Sequence, residues 1–263
     1  MNDPLVEAVL ADPRADAPRE RFAVAIARSE PETASFVRAQ LELARKRRAC
    51  ASRHPEVERA AWSCGVPDSR HTERGMSALL SLLAQSDRPK WAAAPGYGRG
   101  FVEACDVDGA WFSARGGELT HLAPILDLCV HRLPADAREF FDSPALIHLR
   151  SLRFEGPALT EAQVAALSES PYLGKLRVLD ISHMQLQQSA LEVLLQPSAL
   201  PRLRYLRVVG NQFPDINPVA HQEGREFGVV PSAFAETLCE KHGVRAWLSG
   251  FCEDDAPLPE AFD

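Results

Sequence analysis

The chain lacks most of the signatures that would assign it a chemistry. It has no Walker loop, no dinucleotide fingerprint, no His-Glu-x-x-His and no Gly-x-Ser-x-Gly elbow, so no motif offers a nucleotide, hydride, zinc-protease or serine-nucleophile mechanism. The segment Pro95-Gly96-Tyr97-Gly98-Arg99-Gly100 has the glycines of a phosphate loop but not its Gly-Lys-Ser/Thr ending. It precedes an expected strand and reads as a flexible entry into it. The six cysteines are widely spaced, without a Cys-x-x-Cys pair, and read as free thiols. Cys50, His54, Cys64 and His71 lie near one another in sequence but match no metal-ligand spacing, so neither a metal nor a cofactor is expected. No apolar run approaches the ~20 residues needed to cross a bilayer. Met1-Asn2-Asp3-Pro4 has neither the basic start nor the apolar stretch of a signal peptide, and a cytoplasmic protein without membrane contact is expected. A net charge of -7 excludes bulk electrostatic attraction to nucleic acid.

What is present is an internal echo. Leu149, Leu152, Phe154, Leu159, Val164, Leu167 and Leu173 recur at one fixed offset as Leu176, Leu179, Ile181, Leu186, Leu191, Leu194 and Leu200. A third unit opens on schedule with Leu203, Leu206, Val208 and Phe213. A period of about 27 residues built on Leu-x-x-Leu-x-Leu is that of the leucine-rich repeat, one strand and one helix per unit. The expected fold is therefore α/β, a short leucine-rich repeat solenoid behind an N-terminal α-helical module. Strands are expected to start near residues 102, 123, 149, 176 and 203, with helices at Ala137–Phe141, Glu161–Leu167 and Ala190–Leu195. Asn211 holds the asparagine position of the repeat, where its side chain bonds turn backbone; Pro157 and Met184 replace it in the other units.

Prolines divide the first 50 residues into three short helices opening near Pro4, Pro18 and Pro31, the last running into Arg45-Lys46-Arg47-Arg48. Residues 5–13, Asp16-Ala17-Pro18-Arg19 and Phe36-Val37-Arg38-Ala39-Gln40-Leu41 resemble the bacterial repeat-companion N-terminal domain, a helical module that precedes varied repeat arrays. Where that family commonly has Tyr-Ala-Asp-Trp-Leu, this chain has Phe22-Ala23-Val24-Ala25-Ile26, without the acid and the tryptophan. The resemblance covers about residues 5–45, and with the lapse of the echo after Phe213 it gives three expected parts: a helical module at 1–95, a repeat array at 96–215, and a C-terminal cap with an acidic tail at 216–263. The module is expected to cap the first strand or to form a second docking surface.

Strand alternation sends the leucines inward and positions three, five and seven to the opposite face. That face would carry Asp106, Asp108 and Asp127 early, then Arg153, Asp180, Tyr205 and Arg207, with Arg150, Arg177 and Arg204 forming a second column at the strand edge. Two readings stand side by side. Tyr205, Arg207 and Arg153 would anchor a protein or peptide partner, since tyrosine and arginine dominate interface hot spots. Alternatively the charges pair along the ladder, Asp127 with Arg153 and Asp180 with Arg207, as solvated ion pairs of about 1 kcal/mol or less. The expected function is non-catalytic recognition, as an adaptor or scaffold. An accessory or immunity-type protein held tightly by one client, and a divergent enzyme, are the alternatives. Cover of the charged face by the N-terminal helices would defeat the recognition reading.

Overall fold

Three proline-punctuated helices open the computed structural model, which describes residues 3–51, 79, 81–85, 96–196, 198–203, 205–208, 210–212, 237, 240 and 241. In α1 (Pro4–Ala11), Asp3 caps the N-terminus by accepting from Leu5 N at 2.8 Å, with Pro4 at the first helical position. Helix α2 (Asp16–Ala25) starts ahead of Pro18, and α3 (Pro31–Ala51) runs through the basic stretch instead of ending in it. Phe22, Ala23, Ile26, Ala34, Val37 and Leu41 form a small core of their own between these helices, onto which Phe101 packs.

The glycine-rich segment is a strand, not a flexible entry. Strand β1 (Gly96–Gly98) pairs antiparallel with β2 (Phe101–Val107), and Tyr97 faces Val102. The two turn residues, Arg99 (φ 49°) and Gly100 (φ 87°), both take positive φ, as the tightest hairpin turns require. This hairpin closes the exposed edge of the first parallel strand, a role expected of the N-terminal helices. A side chain at Gly100 would drive into Val37 of α3.

From β2 onward the chain repeats strand and helix. After β2 come α4 (Gly109–Leu122), β3 (Asp127–Val130), α5 (Arg138–Phe141), a 3-10 turn (Pro144–Leu146), β4 (Ser151–Phe154), α6 (Glu161–Glu169), β5 (Val178–Asp180), α7 (Gln188–Leu194) and β6 (Tyr205–Arg207). The sheet order is β1-β2-β3-β4-β5-β6, with β2 through β6 parallel. The fold is thus mixed α/β around a five-stranded parallel sheet with one antiparallel edge. The two later steps keep the period of the sequence echo, since Ser151 pairs with Val178 and Val178 with Tyr205. The two earlier ones, from Ala104 to Asp127 and from Asp127 to Ser151, are shorter and do not match the expected strand starts. The cause is α4, which fills a stretch where the sequence pattern places no helix. The strand expected near residue 123 consequently starts at Asp127.

One face of the sheet carries Cys105, Val107, Leu128, Val130, Leu152, Phe154, Leu179, Ile181, Leu206 and Val208 into the main core, against Phe112, Phe140, Phe141, Val164, Leu167 and Leu191. Leu79, Leu82 and Leu83 join the same core. Local chemistry fixes the helix starts. Thr160 and Gln163 form a reciprocal capping box at α6, and Asp108 accepts from Trp111 N at α4. Asn211 behaves as its repeat position demands: Nδ2 donates to the carbonyls of Ile181 (3.0 Å) and Val208 (2.8 Å), and Oδ1 accepts from Leu186 N (3.0 Å). One side chain thereby stitches two successive turns.

The expected C-terminal cap and acidic tail at 216–263 lie outside the described residues except for Thr237, Glu240 and Lys241; Lys241 pairs with Glu192 of α7 at 2.9 Å. Among the described residues no helix is long and apolar enough to cross a membrane. Replacing Asn211 by Ala strands three backbone groups, so Asn211→Ala is expected to lower unfolding free energy by about 1–3 kcal/mol in denaturant titration, with the m-value unchanged.

Candidate functional site

The face of the sheet opposite the helix-backed core holds the polar residues. Because each strand pairs in register, its outward positions line up in rows across the sheet. Asp106, Cys129, Arg153, Asp180 and Arg207 form one row, and Asp127, Ser151, Val178 and Tyr205 another. Neighbours within a row are ~4.8 Å apart, close enough for long side chains to lie over shorter ones. The result is less exposed than expected. Asp106, Cys129, Val178 and Asp180 are buried, whereas the side chains of Arg153 (42%), Glu155 (32%) and Arg207 (24%) keep access to solvent.

The register corrects one expected pair and supplies the other. Asp127 sits beside Ser151, not Arg153, because the first two steps of the array differ in length from those expected. Arg153 lies instead beside Cys129, to whose sulfur its Nε donates at 3.4 Å, and pairs with Glu155 at 3.2 Å. Asp180 does meet Arg207, at 3.8 Å, and also accepts from Ser182 N at 3.0 Å. Asp108 leaves the face altogether: it caps α4 and pairs with Arg132 at 2.8 Å. Tyr205 is placed only by its backbone in β6, and Arg204 lies outside the described residues.

Where β2, β3 and β4 end, three buried groups converge. The ligand atoms of Asp106, Cys129 and His131 all lie within 4.8 Å of one another. His131 Nε2 is 3.6 Å from Asp106 Oδ2, and its Nδ1 is 3.7 Å from Glu155 Oε2. Backbone bonds continuing past the strand ends hold this arrangement: His131 N donates to Val107 O (3.0 Å) and Glu155 N to Val130 O (2.9 Å). Gly156, at φ 119°, follows directly because a side chain there would collide with the carbonyl of His131. Burial pushes the Cys129 thiol up to about 12, against the opposing pull of Arg153, so the sulfur is protonated at neutral pH. The expected metal candidates Cys50, His54, Cys64 and His71 do not enter this cluster: Cys50 is placed only by its backbone in α3, and the others lie outside the described residues. No sequence spacing flags this trio. Cys129 and His131 share a strand face, but Asp106 joins them only through the register of β2 on β3.

The second arginine column is not a free surface. Arg177 is buried, and Arg14 from the turn after α1 reaches across to the carbonyls of His148 (3.2 Å), Leu149 (3.4 Å) and Lys175 (3.4 Å). Arg19, fully buried, pairs with Glu103 at 2.6 Å and bonds Pro13 O at 2.7 Å. Arg99 adds contacts to Asp16, Glu103, Pro13 O and Arg14 O. Among the described residues, the N-terminal helices engage the strand starts, at residues 97–103, 148–149 and 175, and α1 also meets α4. Arg150 is the anomaly of this edge. Burial, with Arg99 and Arg14 nearby, pulls its guanidinium down to about 10, and its Nε has no hydrogen-bond partner among the described residues.

No family model matches the chain, and neither a curated protein nor a solved structure gives a significant match.

Arg150 is partly buried, and a guanidinium crowded there by Arg99 and Arg14, only partly offset by Glu103, costs stability that an apolar replacement of similar length removes. Arg150→Met is expected to raise stability by about 1–3 kcal/mol, read as a higher melting temperature at pH 7. The advantage should shrink above pH 10, where the native-state arginine begins to lose its proton while the unfolded one keeps it. A lowered melting temperature would show that Arg150 holds the edge together.

Proposed function

We propose that the chain is a short leucine-rich repeat solenoid, fronted by a repeat-companion-type helical module, that serves in the cytoplasm as a non-catalytic adaptor for another protein. The observation that carries this reading is the charged row opposite the helix-backed core. Arg153, Glu155 and Arg207 stand accessible on it above buried Asp180, while the contacts of the N-terminal helices fall on the strand starts. Exposed arginines held by neighbouring carboxylates are pre-oriented, which lowers the entropy lost when a partner carboxylate replaces solvent. The alternation of Arg153, Asp180 and Arg207 along one row suits an extended segment with spaced acidic groups. Asp127, Ser151 and Tyr205 occupy the neighbouring row on the same face.

The test places a photo-crosslinking amino acid at Ser151 on the row-bearing face and, separately, at Ala162 on the exposed side of α6. A discrete crosslinked protein from position 151 alone is expected inside the native cell. Arg207→Ala should weaken the affinity for that protein about tenfold, the scale of one anchoring arginine, without lowering the melting temperature by more than a few degrees. Equal labelling from both positions, or labelling from 162 alone, overturns the assignment of this face.

A further inference from the structure

We propose that Asp106, Cys129 and His131 form a divalent transition-metal site of the zinc class at the C-terminal ends of β2 and β3. The argument begins with the donor set. A carboxylate oxygen, a sulfur and an imidazole nitrogen converge within 4.8 Å, all three in buried residues. Mixed O, S and N donors of this kind select zinc and its chemical relatives over magnesium or calcium, which take oxygen alone.

The surroundings fit a ligated histidine. With Nε2 turned toward Asp106 at 3.6 Å, the other ring nitrogen faces Glu155 at 3.7 Å. Histidines that bind metal through one nitrogen characteristically give the other N–H to a carboxylate, which fixes the tautomer and raises ligand basicity. Glu155 is itself held by Arg153 at 3.2 Å, and Arg153 also donates to the Cys129 sulfur at 3.4 Å. A hydrogen bond to a coordinated thiolate is a further outer-shell support of the same kind.

Charge points the same way. The carboxyl groups of Asp106 and Glu155 flank the His131 ring, with one guanidinium, that of Arg153, beside Glu155. A divalent cation that displaces the thiol proton to solvent adds one net positive charge to a cluster that holds two carboxyl groups and one guanidinium. Three protein ligands would leave the fourth position of a tetrahedral site for water.

The experiment uses the full chain, stripped of metal by a chelator and titrated with Co2+ as the spectroscopic substitute for Zn2+. One equivalent is expected to bind and to produce an intense sulfur-to-cobalt charge-transfer band, which Zn2+ then bleaches. Cys129→Ser should abolish that band and weaken binding at least a hundredfold. Asp106→Asn, which keeps the sulfur, should retain the band but weaken affinity at least tenfold, and it guards against a Cys129 variant that fails to fold. Absence of a charge-transfer band in the intact chain, or a band that survives in folded Cys129→Ser, overturns the site, the latter assigning the metal to another cysteine. Neither result touches the recognition reading, which is scored by crosslinking.

Discussion

The in-register parallel ladder is the constraint on which the rest of the molecule depends. Side chains alternate between the two faces of a strand, so a slip of one residue at any pairing would carry a row of leucines out of the core and a row of charges into it. The chain avoids this although its inter-strand steps differ in length. Short early steps and longer later ones all deliver Ala104, Asp127, Ser151, Val178 and Tyr205 to the same row, because each inter-strand segment absorbs the difference in its helix and turn. The wall of Leu128, Leu152, Leu179 and Leu206 follows from that alignment, and so does the polar row behind it. Packing and chemistry thus share a single cause.

Much of this is legible in the chain, and the failures have identifiable physics. The later repeats announce themselves because their apolar positions recur without phase change, and Asn211 bonds the turns its position implies. Helix α4 is hidden by Gly109, Gly116, Gly117 and Thr120, which depress helix propensity. Tertiary context overrides that preference: Asp108 caps the helix, and Phe112 and Leu119 are buried beneath it. Without this helix in view, the second strand is misplaced and Asp127 is assigned to Arg153 as its partner. The Asp106, Cys129 and His131 cluster is invisible for a related reason, since it exists only once β2 is set against β3 in the observed register.

The arginines divide into two populations with opposite surroundings. Arg153 and Arg207 stay partly hydrated beside carboxylates, where their charge costs little. Arg19 and Arg150 are drawn into the seam between helices and strand starts, and burial pulls both guanidinium groups down to about 10. Arg19 is compensated by Glu103 and two backbone carbonyls. Arg150 and Arg177, which in sequence look like part of a recognition column, instead lie beside the seam where Arg14 of the helical module bonds the carbonyls of His148, Leu149 and Lys175.

That fastening sets an order of events during synthesis. Arg19 leaves the ribosome 84 residues before Glu103, and Arg14 precedes the carbonyl of Lys175 by 161. The first helices can coil early, yet their cationic seam must remain hydrated until the strands that receive it have been made. Arg99, whose guanidinium reaches back to Pro13, Arg14 and Asp16, is the first residue to arrive that can draw that seam shut. Nascent chains halted before the hairpin would therefore hold coiled helices not yet docked on the sheet, although these helices are made first.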